Sequence, residues 1–110
     1  MKIEEIKREI IVFNWDEGNI SKNWEKHRVK IGECEDVSYH DDTLVMEPDS
    51  EHSVTEQRYS AFGRTDIGRL LAIVFTIREN KIRVISARDM NKKERRDYHE
   101  RIKKDTKVQK

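Results

Sequence analysis

The sequence predicts an α+β fold: a small antiparallel sheet, with helices before it and one helix packed on it after it. Three observations carry this expectation. Between residues 54 and 88, three strand-like segments are separated by turn-forming residues. Ahead of them, residues 20–38 place apolar side chains at helical spacing. After them, Asn91 and Glu94 stand three apart, as in a capping box with Asn in the place of Ser or Thr.

The elements follow in order. Residues 10–13 form an apolar run long enough for a first strand. Asp16, Gly18 and Asn19 supply turn and N-cap chemistry, which predicts a helix over 20–28. Ile20 and Trp24, four apart, share its core-facing side, with His27 nearby. A short acidic helix over 33–38 turns Cys34 and Val37 inward. Residues 40–53, with Pro48, read as a loop holding a short strand at 44–46. Alternation over 54–62 gives the next strand, and 63–68 a turn. The nearly continuous apolar run 70–77 gives a third, Glu79-Asn80 turns the chain back, and 81–88 completes an antiparallel meander. The last helix runs from Asn91 to about residue 104, with Arg95, Tyr98 and Ile102 at helical spacing. The polar ends, 1–9 and 105–110, are expected to be mobile.

The 110 residues suit a single domain with a thin core, because 35% are hydrophobic and 41% charged. A lone cysteine, Cys34, makes no internal disulfide and fits a reducing cytoplasm as a small buried hydrophobe. With so charged a start, MKIEEIKREI, no secretory signal is expected, and no apolar run reaches the roughly 20 residues of a membrane span. Four scattered histidines, at 27, 40, 52 and 99, suggest no metal cluster, and no cofactor is expected. A net charge of +1 conceals an asymmetry. Residues 33–66 hold ten acidic and two basic side chains, a balance of −8; residues 78–110 hold thirteen basic and six acidic, a balance of +7. Such a basic third either follows a phosphate backbone or forms a solvated helix face.

Four segments carry more specific information. They are FNWDEGN (13–19) with NWEKHRV (23–29), EQRYSAFGR (56–64), GRLLAIVFT (68–76) and RVISARDMNKKERRDY (83–98). In this order and spacing they resemble the BrnT family, small bacterial ribonuclease toxins of the RelE-like superfamily. Asn14 stands where that family commonly has an acid, Arg28 where it has glycine, and Ser38 near an expected aromatic. The resemblance implies a RelE-like fold and an endoribonuclease of a type II toxin–antitoxin system. It implies cleavage without metal, by attack of the 2′-hydroxyl on the adjacent phosphate. It also implies a cognate ribbon-helix-helix antitoxin (BrnA-like), with operator DNA bound only through that partner. The alternative is a non-catalytic homologue that binds RNA or a partner.

That reaction needs a base, an acid and cations around the charge that builds on phosphate oxygens. Arginine suits the last task, since its fixed fork donates to phosphate oxygens in pairs. Arg88, Arg83 and Arg58 are catalytic candidates, each also readable as a strand arginine in an ion pair. Arg83 and Arg88 are five apart, so they share a face only across a bulge or at a strand end. Glu56 is a base or the partner that fixes Arg58, and the partner reading is preferred. Imidazole titrates near neutrality, so His27 is an acid–base candidate or a helix cap. Lys26 is a transition-state cation or a solvated lysine. Arg69, Trp15, Lys22, Arg95 and Tyr98 complete the expected RNA contacts, with packing preferred for Trp15 and bracing of the sheet for Tyr98. Glu94 is read as a capping residue.

Overall fold

The structure, a computed structural model, describes Ile6 and residues 12–15, 17–39, 43–49 and 56–108. Two helices, α1 (Glu17–His27) and α2 (Ile31–Tyr39), precede β1 (Val45–Pro48), β2 (Arg58–Arg64), β3 (Leu70–Arg78) and β4 (Lys81–Asp89); α3 (Lys92–Val108) follows. The four strands form an antiparallel sheet in the order β1-β2-β3-β4. The α+β expectation therefore holds, and so does the meander of its last three strands.

One sheet face carries the main core. Tyr59, Ala61, Leu71, Ile73, Phe75, Ile82, Val84 and Ala87 pack there against Val29, Cys34 and Val37. Gly63 lets α2 approach β2: a Cβ built on it would lie 2.6 Å from Cγ1 of Val37. Ile6 is helical and fully buried in this core, a contact that the expectation of a mobile start did not foresee. The rest of that stretch, and half of the expected strand at 10–13, lie outside the described residues. Phe13 alone makes a parallel bridge, to Ile82.

The edge of β4 is covered. Asn14 N–H donates to the Ile82 carbonyl and Ile82 N–H to the Val12 carbonyl, each at 2.8 Å. Farther along, Asn23 Oδ1 on α1 accepts from Ala87 N–H at 3.2 Å. An edge strand's unpaired groups are thereby satisfied by a neighbouring segment and a polar side chain. This docking corrects one expectation. Asn23, 2% exposed, occupies the centre of the α1 contact, while Trp24 is 41% exposed. Arg28 and Lys30 lie over the Trp24 ring, at 5.1 and 5.7 Å from its centroid. A helix laid against a strand edge meets backbone polar groups, so an amide rather than an indole sits at its centre.

The second apolar cluster lies on the opposite face. Met90, Tyr98 and Ile102 pack against Ala72, Val45, Phe62 and Leu70, so α3 crosses one end of that face. Tyr98 braces it, donating from its buried hydroxyl to the Thr43 carbonyl at 2.5 Å. The Asn91–Glu94 capping box forms in both directions, at 2.8 and 2.9 Å. α3 runs past the expected end at 104 to Val108. β2 begins at Arg58, later than expected, and residues 54–55 are outside the described residues. Pro48 lies in β1, on the sheet's other edge, where a missing N–H is tolerated. Among the described residues no helix is long and apolar enough to cross a membrane.

Candidate nucleic-acid interface

The part of the second face left open by α3 is where the arginines meet, and a β-bulge brings them together. Val84 pairs with Phe75 and Ser86 with Val74, so Ile85 is an extra residue in β4. Arg83 then stands opposite Thr76, and Arg88 opposite Ala72. Thr76 and Ala72 are four apart on β3, hence on one face. Arg58 also pairs with Thr76, from the other side. Three arginines from two strands thus share a face that simple alternation would have divided. Strand spacing places the Arg58 and Arg83 backbones about 10 Å apart, with Arg88 about 13 Å farther along.

At the Arg58–Arg83 end lies Glu56. Its carboxylate takes two bonds from Arg78, at 2.9 and 3.1 Å. Those bonds hold it below the usual carboxylate range, and the charges of Arg58 and Arg83 add to the effect. The expected partner was Arg58; the geometry makes it Arg78, which β3 extends to the same face two residues beyond Thr76. Sequence reasoning passed over Arg78, although its place in the alternation was the available signal.

At the other end Arg88 is held by Glu94, at 2.6 and 2.9 Å, and also donates to the Asp89 carbonyl at 3.1 Å. Glu94 is the capping-box residue of α3, and the Arg88 guanidinium keeps its carboxyl below the ordinary range. One side chain therefore closes the helix start and orients the arginine.

Other candidates are engaged within the protein. Arg69 donates to the carboxylates of Glu33 and Asp89 and to the carbonyls of His27 and Arg28, at 2.8–3.2 Å. These contacts occupy its Nε and both terminal nitrogens. Lys22 donates to the carbonyl of the bulged Ile85 at 2.7 Å. Trp15 stacks on Phe13, with centroids 5.6 Å apart, and donates from Nε1 to Glu35 at 2.9 Å. Lys26 and His27 end α1 beside Asp89, about a strand's length from Glu56; the structure does not bring them to that carboxylate. Arg95 is exposed in the first turn of α3. Cys34 is buried, and burial, then Glu33 and Glu35, push its thiol up to about 12, which removes it as a nucleophile. Among the described residues, no three of His, Cys, Asp and Glu gather so as to hold a metal ion.

A family model described as the ribonuclease toxin BrnT of type II toxin–antitoxin systems matches residues 15–94. The chain belongs to the BrnT family. The 1.1 Å crystal structure of the Brucella abortus ribonuclease toxin BrnT has a similar fold, with a TM-score of 0.56 at 21% identity. The alignment covers 73% of this chain and 96% of that one. Comparison with curated proteins finds no match. Arg28, where the resemblance led glycine to be expected, has an αL backbone with φ 54°, a conformation that glycine adopts most readily. In this BrnT chain, the Arg28 and Val29 N–H groups donate back to the Trp24 and Asn23 carbonyls, and Arg69 donates to the carbonyls of His27 and Arg28.

Proposed function

We propose that this BrnT-family chain is an endoribonuclease toxin that cuts single-stranded RNA on the open sheet face, without metal, by attack of the 2′-hydroxyl on the neighbouring phosphate. The observation that carries the site is the bulge at Ile85, which sets Arg58, Arg83 and Arg88 on one face. The scissile phosphate lies between Arg58 and Arg83, whose guanidinium groups stabilise the charge on its oxygens as the 2′-oxygen adds. Glu56, kept ionised beside them, takes the hydroxyl proton; the P–O5′ bond breaks as the 2′-oxygen bond forms, and the departing 5′-oxygen takes a proton from solvent water at the open face. Arg88 holds a neighbouring phosphate. Lys26 and His27, beyond the end of β4, contact the RNA farther along rather than at the scissile group, and Arg95 adds to the basic approach. Arg69, Lys22, Trp15 and Tyr98 keep the site's frame in place. A ribbon-helix-helix antitoxin (BrnA-like) covers this face in the resting complex, and operator DNA is bound through that partner.

The test is cleavage of a single-stranded RNA by purified protein with chelator present. The products expected carry a 2′,3′-cyclic phosphate and a 5′-hydroxyl. Arg58→Ala and Arg83→Ala should each lower kcat by about 10²–10³-fold, the usual loss on removing one transition-state donor. Folded wild-type protein that leaves RNA intact, and leaves growth unaffected on expression, would sink the reading.

A further inference from the structure

We infer that the groove between α3 and the outer strands is a nucleobase pocket, in which Asp97 reads a guanine next to the phosphate held by Arg88. The inference rests on the ribonuclease reading above and adds a sequence preference to it. Phosphate contacts position RNA and carry no sequence information; single-stranded RNA is read through the edges of unstacked bases. A hollow with room for a base, continuous with the arginine face, is therefore the feature that matters.

The groove has a volume of about 550 Å³, lined by Val45, Phe62 and Tyr98 at its apolar side and by Glu94, Asp97 and Arg101 among its polar ones. Its continuity with the arginine face is direct. Glu94, which grips Arg88, is one of its walls, and Phe62 pairs with the Ala72 that Arg88 faces. The Phe62 ring is half-buried, leaving part of it for contact with a base.

The carboxylates in the groove differ. Glu94 is held by Arg88 and the Asn91 N–H, and Glu47 meets Arg101 at 3.4 Å. Asp97 is exposed and has no hydrogen bond or ion pair among the described residues. An ionised carboxylate only accepts, so it selects a base edge that offers two adjacent donors. Guanine offers such an edge, with its N1–H and 2-amino group; adenine and uracil do not. Lys93 and Arg101, one turn before and after Asp97, offset its charge against the RNA backbone.

The experiment maps cleavage sites on a mixed-sequence RNA and measures rates on short RNAs that carry G, A or inosine at each position beside the cut. Wild type, Asp97→Ala and Asp97→Asn are compared, with thermal melts as the folding check. Wild type should favour G at one position by about 10–100-fold, the range of a bidentate base contact, and inosine should fall between G and A. Asp97→Ala should lose that preference, so that its rates on the G- and A-containing RNAs differ by less than about 3-fold. Asp97→Asn should shift it toward A, since an amide both donates and accepts. Wild type that cuts without base preference, or an Asp97→Ala profile identical to wild type, overturns the pocket and leaves the ribonuclease reading standing. Wild type that cuts none of the RNAs overturns both.

Discussion

Replacing Arg69 with alanine separates two roles that the sequence left open for it. The side chain is 23% exposed and joins three parts of the fold: the start of α2 through Glu33, the end of β4 through Asp89, and the end of α1 through two carbonyls. The Glu33 carboxylate, 22% exposed, is shielded enough for that pair to contribute about 1.5 kcal/mol, the lower end for hydrogen bonds to charged groups. Asp89 is 62% exposed, so solvent screening limits its pair to about 0.5 kcal/mol. The two carbonyl bonds, one at a helix end that favours a cation, add about 0.5–1 kcal/mol. The expected loss is thus about 2.5–3 kcal/mol, or about 10–15 °C in Tm for a chain of this size. Urea and thermal melts read the stability; RNA cleavage far below the melting temperature reads the function. The fastening role requires a large loss of stability with cleavage per folded molecule unchanged. A variant as stable as wild type but defective in cleavage would refute it, and would return Arg69 to the RNA-contact set.

Two further outcomes follow from single contacts. Gly63→Ala should destabilise by about 1–3 kcal/mol in urea melts, because its Cβ meets Val37 Cγ1 at 2.6 Å, and pairing it with Val37→Ala should recover part of the loss. Asp89, Glu94 and Glu56 have folded pKa values below their ordinary values of 3.8, 4.5 and 4.5. Their contribution to stability is therefore complete above those ordinary values and lost as pH falls through the folded ones. Melts from pH 6 to pH 2 should show the loss concentrated below about pH 4.5, and Arg88→Ala should flatten it.

The strands were legible because burial on a sheet writes a period of two into residues 58–64 and apolar continuity into 70–78. The hairpin was legible because Glu79 and Asn80 interrupt those runs; both adopt positive φ, at 52° and 62°. The helix start at Asn91 was legible because a capping box is local. What depended on distant partners was not. The fit of α1 to β4 turns on one amide meeting one N–H across 64 residues, so Asn23 and Trp24 exchanged the expected roles. Arg69, Lys22 and Trp15 were expected among the RNA contacts, because nothing local shows that their partners are Asp89, the Ile85 carbonyl and Glu35. Arg58, Arg83 and Arg88 were chosen for lying on strands. Their common face depends on the bulge, for which the adjacent apolar pair Val84-Ile85 was the only trace.

That bulge also decides which changes of length β4 can bear. The strand is anchored at both ends, by the Glu79–Asn80 turn and by the capping box that begins α3. Ile85 is the surplus residue, so deleting its codon would leave Arg83 opposite Thr76 and Arg88 opposite Ala72, joined by strict alternation. What would be lost is the Ile85 carbonyl that Lys22 grips. An added residue between Arg83 and Arg88 has the opposite effect. No loop on either side could absorb it, and the residues before or after it would exchange faces, carrying Arg83 or Arg88 into the core and an apolar neighbour out to the surface. Lineages of this protein should therefore vary at residue 85, even by its loss, and resist a gain between Arg83 and Arg88.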